Sequence, residues 1–494
     1  MRPHISQKVA VSVVFVAVMF ISIMDVTIVN VALPTIGRDL RVSATDVDAI
    51  SIAFLVSLAV FIPASGWLGD RFGGKRVLLA AIVVCTAASA LCGVANSLNE
   101  LVTFPVLQGV GGGMLAPVGM AMLYRAFRRR SASARLPSSP SRQRSPRRSA
   151  RCSAVFLTDD FSWRWVFYVN VPIGVFALAF GALFLDHSTQ SHPGRFDVTG
   201  FVLSGLGLGA LMYGVSEGPN HGWASGAVLA SIAVGAVLLA GMVAVELRTA
   251  EPIVDLRLLS DRLFRSANGV IVLSSVAFLG TLYVIALYYQ DARGLTPLLS
   301  GLSTAPEAIG VMVGAQLASR VIYPRLGPRR HVSFGLVGTA ASIAALALLT
   351  SGSSLWWARL LMFTLGLSMA QVFVPTQAAA FATISPAATG RASTMYNAVR
   401  QLGGAVGVAL LTTVIVGVGA ATVSDGHSAA NLTAYRIAFL VAAAIAAATL
   451  FCSRTSKTRT RPTPSRRVRD VSQPMSNLSW RRSPSEQRAS RSLC

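Results

Sequence analysis

A carboxylate inside hydrocarbon is expensive unless it is used, and Asp25 sits in an apolar run from Val9 to Leu33. Such an acid can take up and release a proton as its surroundings change. The competing reading is an interfacial acid that merely touches water. Asn30 lies in the same run, and a second acid, Glu307, follows Pro306 inside another. Glu307 is explained equally as a second proton or cation site and as a water-exposed cavity acid. Asn397, Arg400 and Gln401 share a third apolar run and, like Asn30 and Gln108, suit either a substrate path or helix pairing. Between two further runs lies a charged turn, Gly66-Trp67-Leu68-Gly69-Asp70-Arg71-Phe72-Gly73-Gly74-Lys75-Arg76. Gly73 and Gly74 permit a tight reversal, and Asp70 can pair with a nearby arginine or a helix N-terminus. A basic anchor would explain Lys75 and Arg76, but not Asp70.

Other chemistries find little support. Gln108-Gly109-Val110-Gly111-Gly112-Gly113 superficially suggests a dinucleotide loop, yet it follows no strand and lies inside an apolar run. Gly109 and Gly113 instead form a GxxxG face for close helix packing, with Gln108 as a polar group beside it. The five cysteines show neither CxxC nor metal-ligand spacing. Cys85 and Cys92 share one helix face and read as small hydrophobes. With no nucleophile–base pair in view, the chain is expected to be no enzyme and to hold neither cofactor nor metal.

The elements that must position these residues are apolar spans. The chain has 494 residues, 53% hydrophobic and only 13% charged, where soluble chains average about 25% charged; its mean hydropathy is +0.60. About thirteen runs are long enough to cross a bilayer: 9–33, 47–68, 77–98, 101–124, 165–185, 198–216, 226–246, 267–290, 299–321, 332–351, 355–380, 394–418 and 433–452. The formal net charge of +23 is concentrated outside them. Arg125–Arg151 contains ten arginines and no acid, and the tail Ser453–Cys494 carries a net charge of +9. Basic charge in non-membrane segments follows the positive-inside bias, so no nucleic-acid partner is expected. The same bias places the Asp70–Arg76 turn, the arginines at 248, 257, 262 and 265, those at 320, 325, 329 and 330, and the tail in the cytoplasm.

Crossing arithmetic then exposes a gap. Between the Arg125–Arg151 tract and the cytoplasmic loop at Arg248 the number of crossings must be even. Only three runs are visible there, beginning at Val166, Val198 and Gly226. One span is missing, and its place is 128–160, just before Phe161-Ser162-Trp163-Arg164-Trp165, whose tryptophans suit a membrane interface.

Four segments carry a family resemblance. Met24-Asp25-Val26-Thr27-Ile28-Val29-Asn30-Val31-Ala32-Leu33-Pro34 resembles the first-helix motif of the 14-span drug:proton antiporter branch of the major facilitator superfamily. The Gly66–Arg76 turn resembles the superfamily's loop between spans two and three. Trp163-Arg164-Trp165-Val166-Phe167-Tyr168-Val169-Asn170-Val171-Pro172-Ile173-Gly174 resembles the segment before span six, and Asn397 with Arg400-Gln401-Leu402-Gly403-Gly404-Ala405-Val406-Gly407 resembles the penultimate span. The resemblance implies an all-α bundle of two six-helix halves with two extra central helices. The corresponding division is 1–124 (spans one to four), 125–160 (the anomalous tract), 161–196 (span six), 197–264 (the extra spans), 265–452 (the C-terminal half) and 453–494 (the tail). It implies proton-coupled export of lipophilic, cationic small molecules across a bacterial inner membrane, with both termini cytoplasmic. Asp25 is then the proton carrier and Gly66, Asp70, Arg71, Gly73, Lys75 and Arg76 the cytoplasmic gate. Export or uptake of a metabolite is the alternative on the same scaffold. The expected partners are substrate, protons and the bilayer; an envelope partner protein is not readable.

Two departures bear on activity. Where the family carries an arginine that takes part in proton transfer, three residues before the Gln, this chain has Pro105. The family's fifth-span motif, Gly-Pro-x-x-Gly-Gly, is absent. Read one base out of register, however, codons 128–132 can encode Pro-Pro-Ala-Glu-Arg and codons 149–155 Leu-Gly-Pro-Val-Leu-Gly-Gly. Family-like sequence resumes at Phe156. Residues of about 128–155 are therefore expected to be translated out of frame, by mutation or sequence error, and a non-functional or impaired transporter stands as a further alternative.

Overall fold

The computed structural model describes residues 6–42, 44–128, 163–186, 195–249, 252–385, 387–419, 421–424 and 427–455. The expected missing span and the basic tail past Thr455 lie outside these residues. The helices are α1 (Gln7–Leu40), α2 (Ala44–Phe61), α3 (Ala64–Phe72), α4 (Gly74–Val94), α5 (Leu98–Arg128), α6 (Trp165–Tyr168), α7 (Asn170–Phe184), α8 (Val198–His221), α9 (Gly226–Glu246), α10 (Arg262–Leu287), α11 (Pro297–Thr304), α12 (Pro306–Leu317), α13 (Tyr323–Leu346), α14 (Leu355–Ala380), α15 (Thr389–Val418) and α16 (Leu432–Thr455). A short antiparallel ribbon joins α15 to α16, pairing Ala421 with Ala430 and Ser424 with His427.

Among the described residues nine helical segments are long and apolar enough to cross a membrane, and the bent pair α2–α3 makes a tenth. The expected runs at 299–321 and 332–351 meet that test less well. Pro306 divides the first into α11 and α12, while α13 starts on arginines and stops at Leu346. The charged tract also starts later than its composition suggested. Arg125 to Arg128 are the last turn of α5.

Glycine sets the closest helix approaches. A Cβ at Gly109 or Gly113 would come within 2.8 Å of the α2 backbone, so the GxxxG face of α5 seats on α2. Gly403 and Gly407 do the same for α15 against α10, where a Cβ would meet the carbonyls of Val272 and Val276. Backbone contact this close leaves no room for any side chain.

Helix direction can be read from neighbours. Tyr168 lies beside Gly93, Thr86 beside Gly174 and Leu79 beside Gly181, so α7 runs antiparallel to α4. Met122 packs on Gly74 and Cys85 on Gly111, so α5 is also antiparallel to α4. Thus α5 and α7 run the same way, although they are consecutive long helices among the described residues. The chain leaves α5 at the end that carries the Asp70–Arg76 turn, hereafter the basic end. It re-enters at the opposite end, where Arg164 donates to the Ala95 carbonyl at 2.8 Å and Trp163 to Asp39 at 2.8 Å.

The central hairpin α8–α9 packs on α2 and on α15, one helix from each half. Its basic end is closed by Asp197, which accepts from the Gly200 amide at 2.8 Å, and by buried Glu246.

Candidate functional site: a buried acid and a closed basic end

Asp25 lies near the middle of α1, which continues past Pro34 to Leu40, and is 3% exposed. It is therefore enclosed by protein and not interfacial. Asn170 of α7 donates from Nδ2 to its Oδ1 at 2.5 Å, and the Cys85 thiol of α4 donates to its Oδ2 at 3.4 Å. Gln108 of α5 completes the cluster: its Nε2 donates to Ser89 Oγ at 2.9 Å, and Cys92 Sγ lies 3.9 Å from its Oε1. Four helices of the N-terminal half thus meet around one carboxylate. Reading Cys85 as only a small hydrophobe understates it, because its thiol faces the acid. Asn170 was visible only as part of a motif; nothing local linked it to a residue 145 positions earlier. Pro105 sits inside α5, one turn from Gln108.

Asn30 lies on α1, but its side chain is outside the described set. Glu307 is in the other half, at the start of α12, whose backbone is packed against Gly366 of α14. No contact joins it to Asp25 among the described residues. Arg400 is half-buried on α15, one turn beyond Asn397. Gln401 lines a small cavity with Ala59 of α2, Ile62 just past its end, and Leu208 and Met212 of α8, which puts it on the seam between halves.

Asp70 closes the basic end. It stands at the C-terminus of its own helix α3, an unfavourable place for an anion, and at the N-terminus of α15, a favourable one. A Cβ at Gly390 in the first turn of α15 would lie 2.8 Å from the carboxylate. Arg125 of α5 pairs with it at 2.6 Å. Both partners expected for Asp70, an arginine and a helix N-terminus, are present together. Gly66 allows the approach, since a Cβ there would come 2.7 Å from Thr394 Oγ1 and 3.0 Å from the Gly390 carbonyl. Gly73 has φ +89°, a conformation that side-chain-bearing residues rarely adopt.

Further contacts cross the same end. Ser65 and Thr394 hydroxyls are 3.0 Å apart, and Ser393 donates to the Pro117 carbonyl at 2.7 Å. Tyr124 stacks on Phe381 with centroids 4.3 Å apart, and Gln377 Nε2 lies 3.1 Å from Met120 Sδ. Asn397 belongs to this barrier, donating to the Ser393 carbonyl at 2.9 Å and lying 3.7 Å from Met120 Sδ.

Lys75 turns away from the barrier. Buried, it donates to the carbonyls of Ala182 and Leu185 at 2.8 and 2.6 Å and caps the C-terminus of α7. It anchors one helix of its own half, whereas Arg71 and Arg76 are exposed. The arrangement is a polar knot around Asp25 in one half and, at the basic end, a carboxylate at Asp70 held between Arg125 of α5 and the first turn of α15.

Comparison with known proteins bears on this architecture. The Major Facilitator Superfamily sequence model matches residues 15–136 and 152–408, breaking off inside the arginine-rich tract. The chain is 29% identical over 415 residues to the Multidrug resistance protein B homolog of Mycobacterium tuberculosis (strain ATCC 25618 / H37Rv), covering 78% of this chain and 71% of that protein. It is 30% identical over 381 residues to the Tetracenomycin C resistance and export protein of Streptomyces glaucescens, covering 77% and 71%. Among solved structures, the POT family transporter PepTSo shares the fold with a TM-score of 0.58 at 16% identity, covering 92% of this chain and 99% of that one. On the matched residues and the helical bundle they form, this chain belongs to the Major Facilitator Superfamily.

Proposed function

We propose that the protein is built to export lipophilic small molecules, cationic ones foremost, in exchange for protons across a bacterial inner membrane, with both termini in the cytoplasm. The observation that carries this reading is Asp25, enclosed among α1, α4, α5 and α7 with its two oxygens held by Asn170 and Cys85. A carboxylate so placed is costly when ionised, and the two donated bonds offset part of that cost. Relatives named for multidrug and tetracenomycin C resistance support the export direction. In everted vesicles of a competent version, Asp25→Asn should abolish dye uptake driven by a proton gradient while leaving downhill dye binding. Proton-driven uptake that survives the substitution would sink the assignment. Asp70 to Arg76 serve as the gate region, Arg400 as a residue of the substrate path, and Glu307 as a second proton candidate. A panel of metabolites run beside the dyes separates the metabolite reading, since a fold does not set its substrate.

A second reading, that the chain as written is impaired, is favoured by one specific observation. Because α5 and α7 run the same way, residues 129–162 join opposite ends of the bundle. That segment contains eight arginines. Placing three of them at mid-bilayer costs roughly 9 kcal/mol on an insertion scale of about 3 each. A crossing is therefore required where the sequence is least able to supply one, and the family match breaks within it. The shifted reading of codons 149–155 can encode the missing motif. The nucleotide sequence decides: a shifted frame that does not encode an apolar helix refutes the frameshift.

A further inference from the structure

Helices α12 and α13 are joined at the basic end by a π-helical turn, Ala318–Ile322, and a kink at Gly327. This connection exposes Arg320, Arg325, Arg329 and Arg330, and none of the four has an ion pair or hydrogen bond among the described residues. Acids are scarce around it. From Arg265 to Thr455 the sequence holds three, Asp291, Glu307 and Asp425. Asp291 follows α10 and Glu307 begins α12, both away from the basic end, and Asp425 falls in the ribbon connection. Asp255 and Asp261, on the approach to α10, are taken by Arg391 and by the Phe264 amide. The matching turn of the N-terminal half leaves only Arg71 and Arg76 exposed, beside an acid.

The four arginines are carried on a firm frame. Gln371 of α14 donates to the Gly314 carbonyl of α12 at 3.0 Å, and its Oε1 lies 2.7 Å from Nε2 of His331, the residue after Arg330. Gly314 and Gly335 let α12 and α13 close on α14, since a Cβ at either would come within 2.8 Å of that helix. Three helices are thereby held together just inside the turn.

Each arginine-bearing end continues an apolar face. On α13 the exposed residues after Arg330 include Phe334 and Val337, at i+4 and i+7, on one face of the helix. On α12, Ile309, Val313 and Leu317 are exposed at helical spacing and lead to Arg320. The positive-inside bias asks only for charge somewhere in a loop. Here the charge stands where two lipid-facing stripes reach the membrane surface, and a guanidinium presents a planar fork that matches a phosphate. The chain's own tail, with a net charge of +9, is repelled from this place.

We propose that the Arg320–Arg330 connection binds an anionic phospholipid, with the phosphate held by Arg325, Arg329 and Arg330, Arg320 flanking it, and the acyl chains on the exposed faces of α12 and α13. The site does not depend on the transport reaction proposed above.

Native mass spectrometry of the full chain in detergent tests this, with phosphatidylglycerol and phosphatidylethanolamine offered at equal concentration. Phosphatidylglycerol should be bound in preference. Arg325→Gln with Arg329→Gln should weaken its binding about 25-fold, at about fivefold for each arginine near a lipid headgroup. Arg71→Gln with Arg76→Gln, which removes the same charge from the other turn, should leave the preference intact. Equal loss from the two double variants would make the preference a property of basic surface in general and overturn the proposal. A native chain that does not distinguish the lipids overturns it as well. Glycerol phosphate carries the headgroup without the chains and should not displace phosphatidylglycerol; displacement would assign the site to a soluble phosphate. Arg325→Lys with Arg329→Lys keeps the charge and guards against misfolding. It should retain the preference, and a loss as large as that of the Gln pair would remove charge as the cause and the proposal with it.

Discussion

The two halves of this molecule are unequal copies. In the C-terminal half α10 packs most extensively on α15, α12 and α13 on α14, and α13 and α10 on α16. The N-terminal half repeats nearly all of this: α2 and α4 pack on α5, and α4 and α1 on α7. Only the counterpart of α15, the partner that α1 should have, is missing among the described residues. Their charged turns also differ. Asp70-Arg71-Phe72-Gly73-Gly74 in one half corresponds to Pro324-Arg325-Leu326-Gly327-Pro328 in the other, and both reverse on a glycine of positive φ, +89° at Gly73 and +69° at Gly327. The backbone device is shared, while the acid occurs on one side only. One half therefore supplies the carboxylate and the other the helix tip against which it rests. The difference teaches that the halves share packing rules but divide the functional groups between them.

The largest test of this comparison is to complete the weaker half. Restoring the shifted frame across codons 128–155 should raise proton-driven efflux from background to a readily measured rate in cells lacking other exporters. Equal activity before and after repair would show that the N-terminal half works without the added helix.

The converse is to damage the stronger half. Gly407→Leu drives a side chain into the Val276 carbonyl of α10 and should cost about 3 kcal/mol or more through overpacking. It should be read as loss of monodisperse protein in detergent. Wild-type yield would mean that the α10–α15 contact is looser than its backbone proximity implies.

Removing the acid makes the two turns alike. Asp70→Asn leaves Arg125 without its anion and weakens the contact with the α15 N-terminus, a loss of about 3 kcal/mol for a largely buried pair. Thiol labelling at a cysteine introduced at Ala121, beside the latch, should become faster as the basic end opens more often. Unchanged labelling would mean that apolar contacts such as Tyr124–Phe381 hold that end alone. The smallest effect expected is that of Lys75→Met, which removes two charge-assisted bonds to the end of α7 and should lower thermal stability by about 2 kcal/mol, with the transport rate per folded molecule retained. A latch role for Lys75 predicts the opposite pattern, lost transport at unchanged stability.

Much of the fold was legible because hydropathy is local. Each expected run corresponds to a described helix or broken helix pair, while the span expected at 128–160 lies outside the described residues. The candidate site was legible in part. Asp25 and Asp70 stand out as acids where acids are costly, but their partners do not. Arg125 was hidden at the head of a tract rich in arginine, and only the length of α5 assigns it to the latch. Asn170 and Cys85 carry no mark that separates them from other small polar residues in apolar helices. Lys75 resembles a gate residue by position, yet its chain turns toward α7.

Sequence alone determined the family, the helices and their order, and which charged groups had to be accommodated in lipid, because composition and spacing act over a few residues. Only the tertiary structure decided which side chains meet, because that depends on the rotation of each helix about its axis. In a membrane protein, faces toward lipid and faces toward neighbours are both apolar, so no local pattern encodes that rotation. The polar knot at Asp25, the dual seat of Asp70, and the common direction of α5 and α7 all follow from it.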